Sequence, residues 1–128
     1  MKKPVGVTLL VLLVACSEGA GNGVAMTQSQ RFDPETFTVV AGASITFTND
    51  SREAHTVTAY EDDIPDGSDY FSSGDFGTEE DARSNLSEGL VAPGDSYEVT
   101  LDVPGTYRYF CIPHEDRGMV GTILVEAQ

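Results

Sequence analysis

Apolar side chains fall on alternate positions in several short stretches: Phe37 and Val39, Ile45 and Phe47, Val57 and Ala59, and Tyr97, Val99 and Leu101. A period of two places such residues on one face of a β-strand, because successive side chains of an extended backbone point to opposite sides. Between the stretches lie reversal signals, at Ala41-Gly42, Asn49-Asp50-Ser51, Pro93-Gly94 and Pro104-Gly105, where glycine torsional freedom or the fixed φ of proline favours a tight turn. Val120 and the run Thr122-Ile123-Leu124-Val125 predict a further strand near the C-terminus. Helical periodicity is confined to Thr78–Ser84, where Thr78 is placed to cap a single turn and Asp81 stands at the capping-box distance. Six or more strands in about 105 residues predict an all-β fold, a Greek-key sandwich of two sheets with at most a short helix. At 128 residues, 40% apolar and 9% aromatic, the chain suits one compact domain.

The N-terminus follows a different pattern. Lys2 and Lys3 precede an apolar run from Val5 to Val14, then small Ala15 and Cys16, the order of basic, hydrophobic and cleavage regions in an export signal. The run includes Gly6 and Thr8 and is far shorter than the ~20 residues that span a bilayer, so residues 1–15 are expected to be removed. Leu13-Val14-Ala15-Cys16 is similar to a bacterial or archaeal lipobox, in which cleavage exposes the cysteine and a lipid is attached to its sulfur. A buried or disulfide-bonded Cys16 is the competing reading. Residues 16–23 offer almost nothing to bury and are expected to form a flexible tether, leaving the folded domain over 24–128. The expected product is exported and held by Cys16 to the extracytoplasmic face of the cell membrane.

Twenty-one acidic residues oppose seven basic ones, a formal charge of −14, and loss of Lys2 and Lys3 takes it to about −16. Nucleic acid is excluded as a partner, since phosphate backbones are held by Lys and Arg; high-salt solubility or docking to a basic protein is favoured. Ten of the acids, with the single base Arg83, lie between Glu61 and Gly89, which reads as solvated surface whose charge serves solubility more than docking. Asp62, Asp63, Asp66 and Asp69 miss the EF-hand spacing, because Ile64 falls on a ligand position. Asn49 and Asn85 both fit the N-glycosylation pattern, and only Asn85 is expected to be accessible.

With Cys16 assigned to the anchor, Cys111 stands alone in an exported chain, where thiols ordinarily pair. It opens a segment in which a thiol, an imidazole and a thioether, Cys111, His114 and Met119, follow one another within nine residues. The other histidine, His55, precedes the predicted strand at Val57. Thiolate and imidazole suit copper in both oxidation states, and a long, weak axial thioether completes the trigonal blue-copper set. Alternation puts Cys111 on the strand face of Tyr107 and Tyr109, with Arg108 and Phe110 opposite. Pro113 stiffens the short loop, and Gly118 lets the chain reverse toward Met119. The bland alternative makes Cys111 an inert buried thiol, the histidines ordinary surface residues and Met119 core filler; order, spacing and strand context weigh against it.

From Phe32 to Glu126 the sequence resembles the plastocyanins and haloarchaeal halocyanins of the cupredoxin family, on His55-Thr56-Val57, Cys111-x-x-His114-x-x-x-x-Met119 and Gly118-Met119-Val120-Gly121. The resemblance implies a monomeric carrier of one copper ion, Cu(I)/Cu(II), that moves single electrons between extracytoplasmic redox proteins of a respiratory or photosynthetic-type chain. It further implies that Asn49 ties the ligand loops together and that the Thr56 N–H donates to the Cys111 sulfur, which raises the reduction potential. His55 is then buried, while His114 forms the electron port in an apolar patch with Ile112, Pro113 and Val120. Phe110 replaces a Tyr that plastocyanins carry before the ligand cysteine, which puts a second electron route in doubt. Copper delivery is the rival function, but such sites are usually Met- or His-rich and exposed. A fragment of a copper oxidase or nitrite reductase is a third reading, and no residues remain here for a second copper.

Overall fold

The computed structural model describes residues 22–128; the expected signal segment, the lipobox with Cys16 and the tether up to residue 21 lie outside the described residues. Two four-stranded sheets face each other. One runs β2-β1-β4-β6, from β1 (Gly23–Met26), β2 (Phe32–Asp33), β4 (Ser44–Asn49) and β6 (Ser96–Thr100). The other runs β3-β8-β7-β5, from β3 (Thr36–Val40), β5 (Thr58–Ala59), β7 (Gly105–Phe110) and β8 (Val120–Glu126). Every link from β2 to β7 passes from one sheet to the other, giving the expected sandwich. β1 pairs parallel with β4, and β3 with β8, so both sheets are mixed. Periodicity missed β1, whose two buried residues, Val24 and Met26, make too short a pattern to stand out.

In β4 the alternation becomes packing: Ile45, Phe47 and Asn49 are buried and Ser44, Thr46 and Thr48 are half-buried. Phe32 and Phe47 meet Tyr109 edge to face, with ring centroids 4.7 and 5.3 Å away. Full burial of each such ring stabilises the fold by about 1.5–3 kcal/mol. Tyr109 pairs with Gly121 across β7 and β8, and its ring occupies the space a Cβ at 121 would need, in contact with Tyr109 Cζ and Oη. The cluster thus braces the strand that leads into Cys111.

The acidic stretch departs from the expected solvated surface. Within it Phe71, Ser72, Ser73, Ala82 and Gly89 are buried. Ser73 N donates to Val57 O (2.7 Å), Ser73 Oγ accepts from Val57 N (3.0 Å) and donates to Gly89 O (2.6 Å). One aromatic and four small residues therefore anchor the segment in the fold, Ser73 lashing it to the chain just after His55, while its acids stay at the surface. Two short helices follow in place of one, α1 (Glu79–Ser84) and α2 (Leu86–Gly89). Thr78 caps α1 as expected, its side chain accepting from Asp81 N at 3.1 Å. Asn85 is exposed and Asn49 buried.

Candidate metal centre

Three of the four proposed ligands come from one end of β7 and β8. Cys111 directly follows β7, a pair of 3₁₀ turns (Ile112–Arg117) is kinked at His114, and Met119 directly precedes β8. Pro113 lies in the first turn of that stretch and Gly118 caps it in the left-handed region, φ 81°, which glycine adopts readily. Backbone bonds from Cys111 N to Met119 O (3.0 Å) and from Met119 N to His114 O (3.2 Å) close the loop on itself. His55 arrives from the β4–β5 connection, held by a two-way bridge to Val91: His55 N to Val91 O at 3.2 Å and Val91 N to His55 O at 2.7 Å.

The side chains converge. His55 Nδ1 lies 3.7 Å and His114 Nδ1 3.5 Å from Cys111 Sγ, and the two ring nitrogens are 3.2 Å apart. A triangle with sides of 3.2, 3.5 and 3.7 Å is circumscribed by a circle of about 2.0 Å radius, the length of an ordinary metal–imidazole bond. The donor set therefore fits a single ion between one soft sulfur and two imidazoles. Met119 is fully buried, and its backbone is bonded to both Cys111 and His114.

Burial pushes the Cys111 thiol above its ordinary value, against the opposing pull of the Thr56 N–H. Burial, reinforced by His114, holds the His55 imidazole below its usual range, against the Glu53 carboxylate. In the absence of metal the pocket thus favours a neutral thiol and a neutral imidazole, and a bound cation displaces the thiol proton.

Around the donors, Thr56 N donates to Cys111 Sγ at 3.4 Å, as the resemblance implied. Asn49 is used differently: its amide binds Glu53 O (2.7 Å) and Val91 O (2.9 Å), tying its own turn to the neighbouring segment. The tie between the His55 and Cys111 loops is made by Thr56, whose Oγ1 accepts from Ile112 N at 2.8 Å. His55 is buried, but His114 is only 13% exposed at its side chain, and its Nε2 faces the Glu53 carboxylate at 3.7 Å instead of a purely apolar rim. Glu53 is in turn held by Gln30 Nε2 at 3.1 Å.

Sequence reasoning missed Ser51, whose Oγ lies 2.9 Å from His55 Nε2; it was hidden inside a turn signal, four residues before the histidine. Arg83 was also missed. It bridges Glu79 and Glu115, each at 2.9 Å, and its guanidinium lies 4.3 Å from the Phe110 ring centre, clamping α1 to the ligand loop. Phe110 is fully buried on the far face of β7, stacked on Tyr60 at 4.3 Å.

Residues 16–126 match the family described as copper binding proteins, plastocyanin/azurin family. A chloroplastic plastocyanin of Hordeum vulgare is 39% identical over 107 residues, covering 84% of this chain and 59% of the relative. The plastocyanin of Lactuca sativa is 43% identical over 96 residues, covering 73% of this chain and 86% of its own. Among solved structures, oxidised plastocyanin from Dryopteris crassirhizoma superposes with a TM-score of 0.58 at 24% identity, over 81% of this chain and 99% of that one. Pseudoazurin from Methylobacterium extorquens gives 0.60 at 28% identity, over 80% of this chain and 72% of its own.

Proposed function

The chain belongs to the plastocyanin/azurin family of copper-binding proteins, and from that premise we propose that it is a type 1 copper electron carrier and not an enzyme. The observation that carries the reading is the convergence of His55 Nδ1, His114 Nδ1 and Cys111 Sγ on a circle of metal-bond radius; buried Met119, on the same loop, would add its thioether to the set. Copper, when bound, supplies a Cu(I)/Cu(II) couple for one-electron exchange. The protein's part is to hold the donors still: β7, β8 and the Val91 bridge fix the backbone, and close packing resists rearrangement between oxidation states. The Thr56 N–H withdraws charge from the Cys111 sulfur and favours the reduced state. His114, the more accessible imidazole, is the electron port.

The lipobox at Leu13–Cys16 and the Gly-rich segment after it support an exported lipoprotein anchored through Cys16, with residues 16–23 as tether. The anchor and the acidic composition favour kinship with the halocyanins. Membrane attachment puts the carrier on the extracytoplasmic face, where it exchanges electrons with donor and acceptor proteins of a respiratory or photosynthetic-type chain. Detergent-free fractionation of cells checks the anchor: Cys16→Ala is expected to release the protein from membranes, and retention of this variant there would contradict it.

Addition of one equivalent of Cu(II) is expected to give an intense thiolate-to-copper colour that bleaches and returns with one-electron reduction and oxidation. Cys111→Ser abolishes it. Colour that survives in Cys111→Ser overturns the site, and copper lost to a chelator within seconds favours delivery.

A further inference from the structure

Asn49, Ser51 and His55 form a hydrogen-bonded chain leading to the metal centre, and geometry fixes where its protons lie. Asn49 is 1% exposed, and its Nδ2 donates to two carbonyls, Glu53 O at 2.7 Å and Val91 O at 2.9 Å. Carbonyls only accept, so this atom is the amide nitrogen and Oδ1 is an acceptor without a proton of its own. Oδ1 lies 2.7 Å from Ser51 Oγ and accepts from Ser51 N at 3.0 Å.

The Ser51 hydroxyl has one proton, and two oxygens compete for it, Asn49 Oδ1 and Glu53 O, the latter at 3.0 Å. Oδ1 brings no proton and lies only 2.7 Å away, so the hydroxyl proton sits between these two oxygens and none is left for His55 Nε2, 2.9 Å away. His55 therefore donates its Nε2–H to Ser51 Oγ. Its Nδ1 is then left as a lone pair facing Cys111 Sγ and His114 Nδ1. Ser51 is 7% exposed and His55 fully buried, so water does not readily replace this acceptor.

We propose that Ser51 is a positioning residue for the metal centre: by accepting the Nε2–H of His55 it fixes the tautomer and the ring plane that aim Nδ1 at the ion. The proposal rests on the copper reading above, yet the tautomer belongs equally to the metal-free protein. Without the hydroxyl, a buried imidazole N–H loses its partner, and the ring gains freedom to turn away from the thiol.

The test pairs long-range ¹H–¹⁵N spectra of the metal-free protein with copper competition titrations. Wild type is expected to show His55 as the Nε2–H tautomer with a slowly exchanging ring proton. Ser51→Ala is expected to lose that protection and to bind copper about 10–100-fold more weakly, the usual loss when a ligand's outer hydrogen-bond partner is removed. Ser51→Thr, which keeps the hydroxyl, restores both. An Nδ1–H tautomer in wild type overturns the proposal, as does unchanged affinity and unchanged Cu(II) hyperfine splitting in Ser51→Ala. Should wild type take up no copper at all, the electron-carrier reading fails while the ring spectra still decide the role of Ser51. They also decide it if Ser51→Ala does not fold.

Discussion

His55 shows how much of the site's behaviour is written in single residues. Burial and the neighbouring His114 hold its imidazole below the ordinary value of about 6.5, to which it returns in the unfolded chain. Between the depressed and the ordinary value the unfolded state binds a proton that the folded state lacks. His55 therefore contributes stability above that window and loses it as the pH falls through it. In metal-free protein, the melting-temperature difference between wild type and His55→Gln is expected to shrink from pH 7.5 to 5.5; a difference that widens on acidification contradicts this. The ligands were legible in the sequence because thiol, imidazole and thioether are rare side chains in a telling order. The groups that orient them were not. Ser51 and Glu53 are common residues, and a serine in a turn looks the same whether or not its hydroxyl holds a histidine.

At the scale of elements, β4 was visible in advance by its alternation, since one buried face leaves its period in the sequence, and β8 by its apolar run. β1 escaped notice because of its length. The interior of the acidic stretch escaped because Phe71, Ser72 and Ser73 are outnumbered by charge. Register was also beyond reach: nothing in Gly121 alone says that Tyr109 will lie across it. Gly121→Ala forces a methyl group into that ring and is expected to destabilise the fold by about 1–3 kcal/mol, read by urea denaturation, with an effect below 0.5 kcal/mol arguing against the close approach. Thr78→Ala removes the α1 cap at a cost of about 1 kcal/mol. Because α1 carries none of the ligands and touches their loop through the exposed Arg83–Glu115 pair, the copper spectrum of that variant is expected to stay as in wild type.

On the scale of the whole molecule, a formal charge of −14 makes self-repulsion a standing cost that salt screens. The melting temperature is expected to rise between 0.05 and 1 M NaCl, and a fall would mean that attractive ion pairs outweigh the repulsion. The pair of Arg108 with Asp63 at 3.2 Å is solvent-exposed and contributes little. Against this acidic body stands a rigid two-sheet frame whose one end gathers a sulfur and two nitrogens into a triangle. The most direct measurement of that claim is anomalous diffraction at the copper edge from crystals of copper-loaded protein. The account predicts one strong peak about 2 Å from each of His55 Nδ1, His114 Nδ1 and Cys111 Sγ, in the same place after reduction. A peak among the acids of residues 61–89, or an ion bound without Cys111, would contradict it.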